Sequence, residues 1–247
     1  MSLIMLFFIA APIIKLVTAS SPSVIVDTVK EKEVYNSITL TFEASLVATL
    51  ISLVLGIPLA YLLARVEFPG KSLIEGIIDL PVIIPHSAAG IALLTVFGHR
   101  FFLGKLFGYM GIRFVGEFSG IVIAMMFVSL SYLVNETKEG FRSIDVRLEK
   151  VARTLGASPS QSFWRIALPL NFHHIISGTL MMWARGISEF GAVVILAYHP
   201  MTAPILIYER FTSFGLKYSI PVAAVMVSIS LIIFIVLRFL NKGFKYE

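Results

Sequence analysis

The chain has 247 residues, of which 57% are hydrophobic and 14% charged, with a mean hydropathy of +0.89. Soluble domains carry about 25% charged residues, so a water-soluble globular protein is excluded and a polytopic membrane protein is indicated. The net charge of +5 comes from basic residues at the ends of apolar runs rather than on one face, which argues against nucleic-acid binding; the absence of cysteine excludes disulfides, thiolate metal ligation and cysteine nucleophiles.

Apolar runs predict an all-α membrane domain over 1–247 with six transmembrane helices, at about 3–19, 37–65, 72–98, 118–137, 171–198 and 219–240. The first run is apolar apart from Lys15 and is short for a span. It lacks a basic n-region, so it reads as a retained span and not as a signal peptide. Ser20 to Glu33 is polar and mixed in charge, which places it outside the bilayer. The second run is too long to stand upright in the hydrocarbon, and Pro58 should kink it.

The third run is interrupted by D-L-P-V-I-I-P-H-S-A-A-G, where Pro81 and Pro85 each remove an amide donor. This predicts a distorted span, with Pro85, His86 and Ser87 as candidate pathway residues. His86 has two readings, a donor to an anion in the path or a hydrogen bond to a neighbouring helix. The aromatic, glycine-rich stretch His99 to Phe118 predicts a short helix at the outer surface.

After the fourth run comes the longest polar interval, 138–170. Ser143 to Leu155 reads as an amphipathic helix, with Ile144, Leu148, Val151, Ala152 and Leu155 at steps of three or four. Gly156 supplies a permissive position to end it. Ser158 reads as an N-cap, with Pro159 at the first helical position and Gln161 completing a capping box. A new helix is expected to begin at Pro169. Such a helix pair either docks on a partner or lies on the membrane surface.

The fifth run contains R-G-I-S-E-F-G. Arg185 and Glu189 are four apart, so they share a helical face and can pair; unpaired they would be costly in lipid, so they should face the bundle interior. With Ser188 they form either a gate or a pathway lining, or else an ion pair that joins helices. If the 138–170 loop is inside, eleven of the 20 basic residues lie on inner segments and seven on outer ones, with Lys15 and Arg185 within spans. That bias has the sign expected for both termini inside. The chain has no G-x-x-x-x-G-K-[ST], no H-E-x-x-H and no G-x-S-x-G, so it supplies no ATPase, zinc-protease or hydrolase chemistry.

Three of these stretches resemble one family. In the loop, Ala152, Gly156, Ile166, Leu168 and Pro169 fall in register with the cytoplasmic loop motif of ABC importer permeases, Glu-Ala-Ala, three residues, Gly, nine residues, Ile, one residue, Leu-Pro. Lys150 and Val151 depart from it, and Glu149 sits one position early. The runs L-P-V-I-I-P-H-S-A-A-G and R-G-I-S-E-F-G resemble the molybdate/tungstate and sulfate group, with Ser188 where glycine is commoner; I-P-H-S instead of a double-proline word leans toward molybdate/tungstate. The resemblance implies a plasma-membrane permease subunit that forms a homodimer. It implies two cytoplasmic ABC ATPase subunits that hold ATP and Mg, and an extracytoplasmic oxyanion-binding protein. It implies no cofactor and no metal on this chain. It makes the loop a coupling helix, carried by Arg147, Glu149, Ala152, Arg153, Leu155, Gly156, Ala157, Ser158, Ile166, Leu168 and Pro169. Alternative readings are a sulfate or thiosulfate permease of the same type, or an ATP-independent secondary transporter or channel.

Overall fold

The computed structural model describes residues 2–242, with side chains over 3–236. The end of the basic tail, from 243 on, lies outside the described residues. The described residues are helical, with no strand. Among the described residues, three helices are long and apolar enough to cross a bilayer, and two bent pairs would bring the number to five.

The centre is α3 (Lys32–Arg65), α7 (Phe118–Ser143) and α11 (Phe172–Ile187). At 34 residues α3 is about 51 Å long, well beyond a hydrocarbon core of about 30 Å. It runs as one helix through Pro58. Its buried face repeats at steps of three and four with small side chains, among them Ser37, Thr41, Ala44, Ser45, Ala48, Ser52, Gly56 and Ala60. Lipid tails are as apolar as leucine, so such helices associate by close van der Waals approach, which small residues permit. The hydroxyls of Thr41 and Thr49 do not oppose this, because each donates to the carbonyl four residues back.

The apolar run at 72–98 is not one continuous helix. It divides into α4 (Lys71–Ile83) and α5 (His86–Phe97), which are bent by 117°. Pro81 sits inside α4, and the turn falls at Ile84 and Pro85, both extended. The residue before a proline is steered away from helical backbone, so Pro85, and not Pro81, breaks the run. The run at 171–198 also divides. After α11 the chain breaks over Ser188, Glu189 and Phe190, and a short α12 (Gly191–Leu196) follows. Here α12 packs on α5, and both join α3 and α7 in one core through Ala89, Leu93, Ile121, Met125, Val193 and Leu196.

At the ends, α1 (Ser2–Thr18) and α2 (Pro22–Lys30) bend by 74°. The polar stretch after residue 20 is therefore largely helical, because Ile25 and Thr28 give it a face that packs toward α14 (Leu216–Lys242). The aromatic stretch contains the expected short helix, α6 (Phe102–Tyr109). Beyond α12, α13 (Ala203–Phe214) leads into α14. Arg210 on α13 pairs with Glu31 and Glu33 at 2.6 and 3.0 Å. Burial works against its charge, but the hydrogen bonds it donates to the two carboxylates outweigh that and raise its pKa above the ordinary value.

Candidate functional site

Two places bring the sequence-predicted residues together. The first is the polar loop. Helix α7 continues to Ser143 because Thr137, Lys138, Gly140 and Phe141 are buried. The loop helix is therefore shorter than expected, α8 (Val146–Thr154). Asp145 caps it, its carboxylate accepting from the Arg147 amide at 2.9 Å.

The end of α8 is a Schellman motif. The Ala157 amide donates to Ala152 O at 3.0 Å, and the Gly156 amide to Arg153 O at 3.1 Å. Gly156 holds φ +96, a left-handed conformation that side-chain-bearing residues rarely adopt. Next, the Gln161 amide donates to Ser158 Oγ at 3.1 Å, and the Ser158 amide to Gln161 Oε1 at 2.8 Å, completing the capping box that the sequence predicts. The α9 helix (Pro159–Ser162) then widens into a π-helical turn, Phe163–Ala167, and continues as α10 (Leu168–Leu170). A helix does begin at this point, one residue before Pro169. Pro169 sits within α10, just after the widened turn, where the missing amide and the ring's clash with the preceding turn are relieved.

The orientation of α8 reverses the usual sense of an amphipathic helix. Leu148, Val151 and Leu155 form a stripe that faces outward; Leu155 is 83% exposed. Arg147, Lys150 and Arg153 are exposed around it, and Ala152 is half-buried. The acid turns inward instead. Glu149 is 6% exposed, pairs with Arg65 at 2.7 Å and accepts from the Tyr61 hydroxyl at 2.5 Å. Ile166 and Leu168 are half-buried behind the loop, while Ser158 and Pro169 are exposed.

The second place is where the two helix breaks meet. Pro85 ends the extended turn before α5, and His86 begins that helix. Its ring reaches the break after α11, with Arg185 Nη2 within 2.9 Å of both ring nitrogens and Glu189 Oε2 2.9 Å from Nδ1. Arg185 also pairs with Glu189 at 2.9 Å, as the four-residue spacing predicts. Glu189 is 1% exposed, and its other oxygen accepts from the Ala192 amide at 2.8 Å, which caps α12. Buried charge is tolerated only with such complete pairing. The two segments approach too closely for side chains. A Cβ on Gly191 would stand 2.6 Å from His86 Cβ, and one on Gly90 would stand 2.9 Å from the Ala192 carbonyl oxygen. Ser188 accepts from Arg185 Nη1 at 3.3 Å; Ser87 is exposed nearby.

Sequence reasoning missed a polar seam. On α4, Glu75 pairs with Lys138 and Arg142, and Asp79 accepts from Asn135, all on α7. Two carboxylates four apart on an apolar helix, facing polar residues at 135, 138 and 142, carried the signal as matching helical periods. It gave Tyr61 and Arg65 no site role.

The family model described as "Binding-protein-dependent transport system inner membrane component" matches residues 54–246. The "Molybdate/tungstate transport system permease protein WtpB" of Methanocaldococcus jannaschii is 45% identical, covering 97% of this chain and 94% of its own. The protein of the same name from Thermococcus kodakarensis is 43% identical over 94% and 90%. The "Probable sulfate transport system permease protein cysT" of Chlorokybus atmophyticus is more distant, 34% identical over 96% and 85%. Among solved structures, a bacterial ABC transporter that imports the acidic polysaccharide alginate superposes with a TM-score of 0.77 at 18% identity, covering all of this chain and 94% of that one. The fold is that of ABC importer permeases, and the chain belongs to the family of binding-protein-dependent transport system inner membrane components, a multi-pass permease subunit of the plasma membrane.

Proposed function

We propose that this permease imports a tetrahedral oxyanion, molybdate or tungstate, as one half of a homodimer served by two ABC ATPase subunits and an extracytoplasmic binding protein. ATP and Mg belong to the ATPase subunits. The chain crosses the membrane six times with both termini inside, and residues 138–170 face the cytoplasm. The divided α4–α5 and α11–α12 pairs each count as one crossing.

The observation that carries this reading is the outward stripe of α8. A surface helix normally turns its apolar side to its own core. Here Leu148, Val151 and Leu155 are left uncovered, ringed by Arg147, Lys150 and Arg153, while the acid is buried. A partner of matching shape buries such a stripe with energetic gain, at about 25 cal/mol per Å2 of apolar surface. The ATPase is that partner. Its movement on ATP binding pulls α8, and the bundle rocks between inward and outward openings. Only a difference in contact between the two ATPase states can drive this change.

The cation–acid–imidazole cluster at His86, Arg185 and Glu189 is proposed as the gate, with Pro85, Ser87 and Ser188 at its rim. Both broken helices meet there, and broken backbone at membrane depth is tolerated where it lines a cavity or is buried in protein. The choice of molybdate or tungstate over sulfate rests on relatives at 41–46% identity against 34%.

The chain has no cysteine, so Leu155→Cys gives it a single thiol. In the assembled complex that thiol, labelled with benzophenone maleimide, should photo-cross-link to the ATPase subunit. Labelling only by a lipid-borne reagent, with no cross-link to the ATPase, would sink the docking role.

A further inference from the structure

Two side chains of α3 fasten α8 to the Arg65 end of that helix. Tyr61 and Arg65 lie one turn apart on α3. Arg65 Nε donates to one oxygen of Glu149 at 2.8 Å, Nη2 stands 2.7 Å from the same oxygen, and the Tyr61 hydroxyl donates to the other at 2.5 Å. Arg65 Nη2 also reaches the Ile144 carbonyl at 3.3 Å, in the turn that precedes α8. The Arg65 and Glu149 side chains are each 8% exposed. Phe163 and Phe141 wall the site, with Tyr61 edge-on to both at 4.8 and 5.2 Å.

The chain itself joins α8 to the bundle only through turns, Ile144–Asp145 on one side and Leu155–Gly156–Ala157 on the other. Turns bend, so a pull on α8 could be lost in them. The Glu149 contact bypasses both turns. It leads to a continuous helix whose other end is also fastened: the Ala203 amide donates to Thr41 Oγ1 at 2.8 Å, and Arg210 of α13 holds Glu31 and Glu33. A buried ion pair adds little stability over an apolar replacement, but it fixes one geometry.

We propose that Arg65 and Tyr61 are positioning residues of the transport cycle, which with Glu149 make α3 the rod that carries the movement of α8 to α13. The proposal rests on the reading of α8 as the ATPase-docking helix.

The test uses the full complex of permease, ATPase and binding protein in vesicles, with labelled tungstate as the probe and anions imported per ATP hydrolysed as the readout. Glu149→Gln and Arg65→Gln should still assemble with the ATPase and hydrolyse ATP. Their import per ATP should fall about tenfold, the scale of a coupling energy between sites. Tyr61→Phe should lose less. A purely structural role would lower yield and thermal stability while leaving that ratio at the wild-type value in the protein that survives.

Because either variant could misfold, Arg65→Cys/Glu149→Cys provides a second arm in the cysteine-free background. The reduced pair should be uncoupled, and a short thiol-to-thiol cross-linker should restore the ratio. An unchanged ratio in Glu149→Gln, or full cross-linking without recovery, would overturn the proposal. A wild-type complex that imports nothing would instead fail the function proposed above, so the two failures are distinct.

Discussion

Gly156→Pro should yield a membrane-inserted chain that imports no anion. Gly156 holds φ +96, whereas a proline ring fixes φ near −65°. Its amide also donates to Arg153 O, and proline has no such donor. Both Schellman bonds would be lost, and α8 could no longer meet the Ser158 cap at the present angle. Space is not the issue, because nothing lies within 4 Å of a Cβ built at this position. Gly156→Ala therefore isolates the backbone cost, about 1–2 kcal/mol for a side chain held in the left-handed region. The expected order is near-wild-type membrane insertion for all three proteins, reduced import for alanine, and complete loss of import with weak ATPase co-purification for proline. Import by the proline variant at the wild-type rate would remove the loop from the mechanism.

Glu189→Ala should be the most destabilising single change at the helix breaks. The carboxylate is 1% exposed and holds three partners on three segments: His86 of α5, Arg185 of α11 and the Ala192 amide of α12. Removing it leaves a guanidinium that is 18% exposed without its counter-charge. Breaking a buried pair from one side costs about 3–5 kcal/mol, more than the pair contributes when both partners are present. Thermal unfolding in detergent should show a large fall for Glu189→Ala. Glu189→Ala/Arg185→Ala should recover part of it, since no charge is then stranded. Simple additivity of the two single changes would mean that they do not act as a unit.

The parts of this molecule that follow from neighbouring residues were legible in its sequence. Gly156, Ser158, Pro159 and Gln161 obey local rules of helix termination and capping, and the structure follows them atom for atom. The Arg185–Glu189 pair follows from helical spacing alone. What was not legible depended on the path of the backbone. Hydropathy cannot separate a straight span from two helices folded back by 117°, because both have the same composition. His86 and Arg185 are 99 residues apart, and only that fold-back brings them together.

The periodicity of α8 was readable, but the direction of its apolar stripe was not. That direction depends on Glu149 finding Arg65 and Tyr61, more than 80 residues earlier. A pattern of apolar residues gives a helix a face; its surroundings decide whether that face looks in or out. The seam of Glu75 and Asp79 against Asn135, Lys138 and Arg142 is a similar case, with each half regular and the match tertiary.

Anion accumulation in defined vesicles tests the central claim most directly. The chain is reconstituted alone, with an ABC ATPase, or with both the ATPase and the binding protein, and labelled tungstate or molybdate is added on the binding-protein side with ATP on the loop side. The account predicts accumulation only with all three components and hydrolysable ATP. Accumulation by this chain alone, driven by an ion gradient and indifferent to ATP, would contradict it.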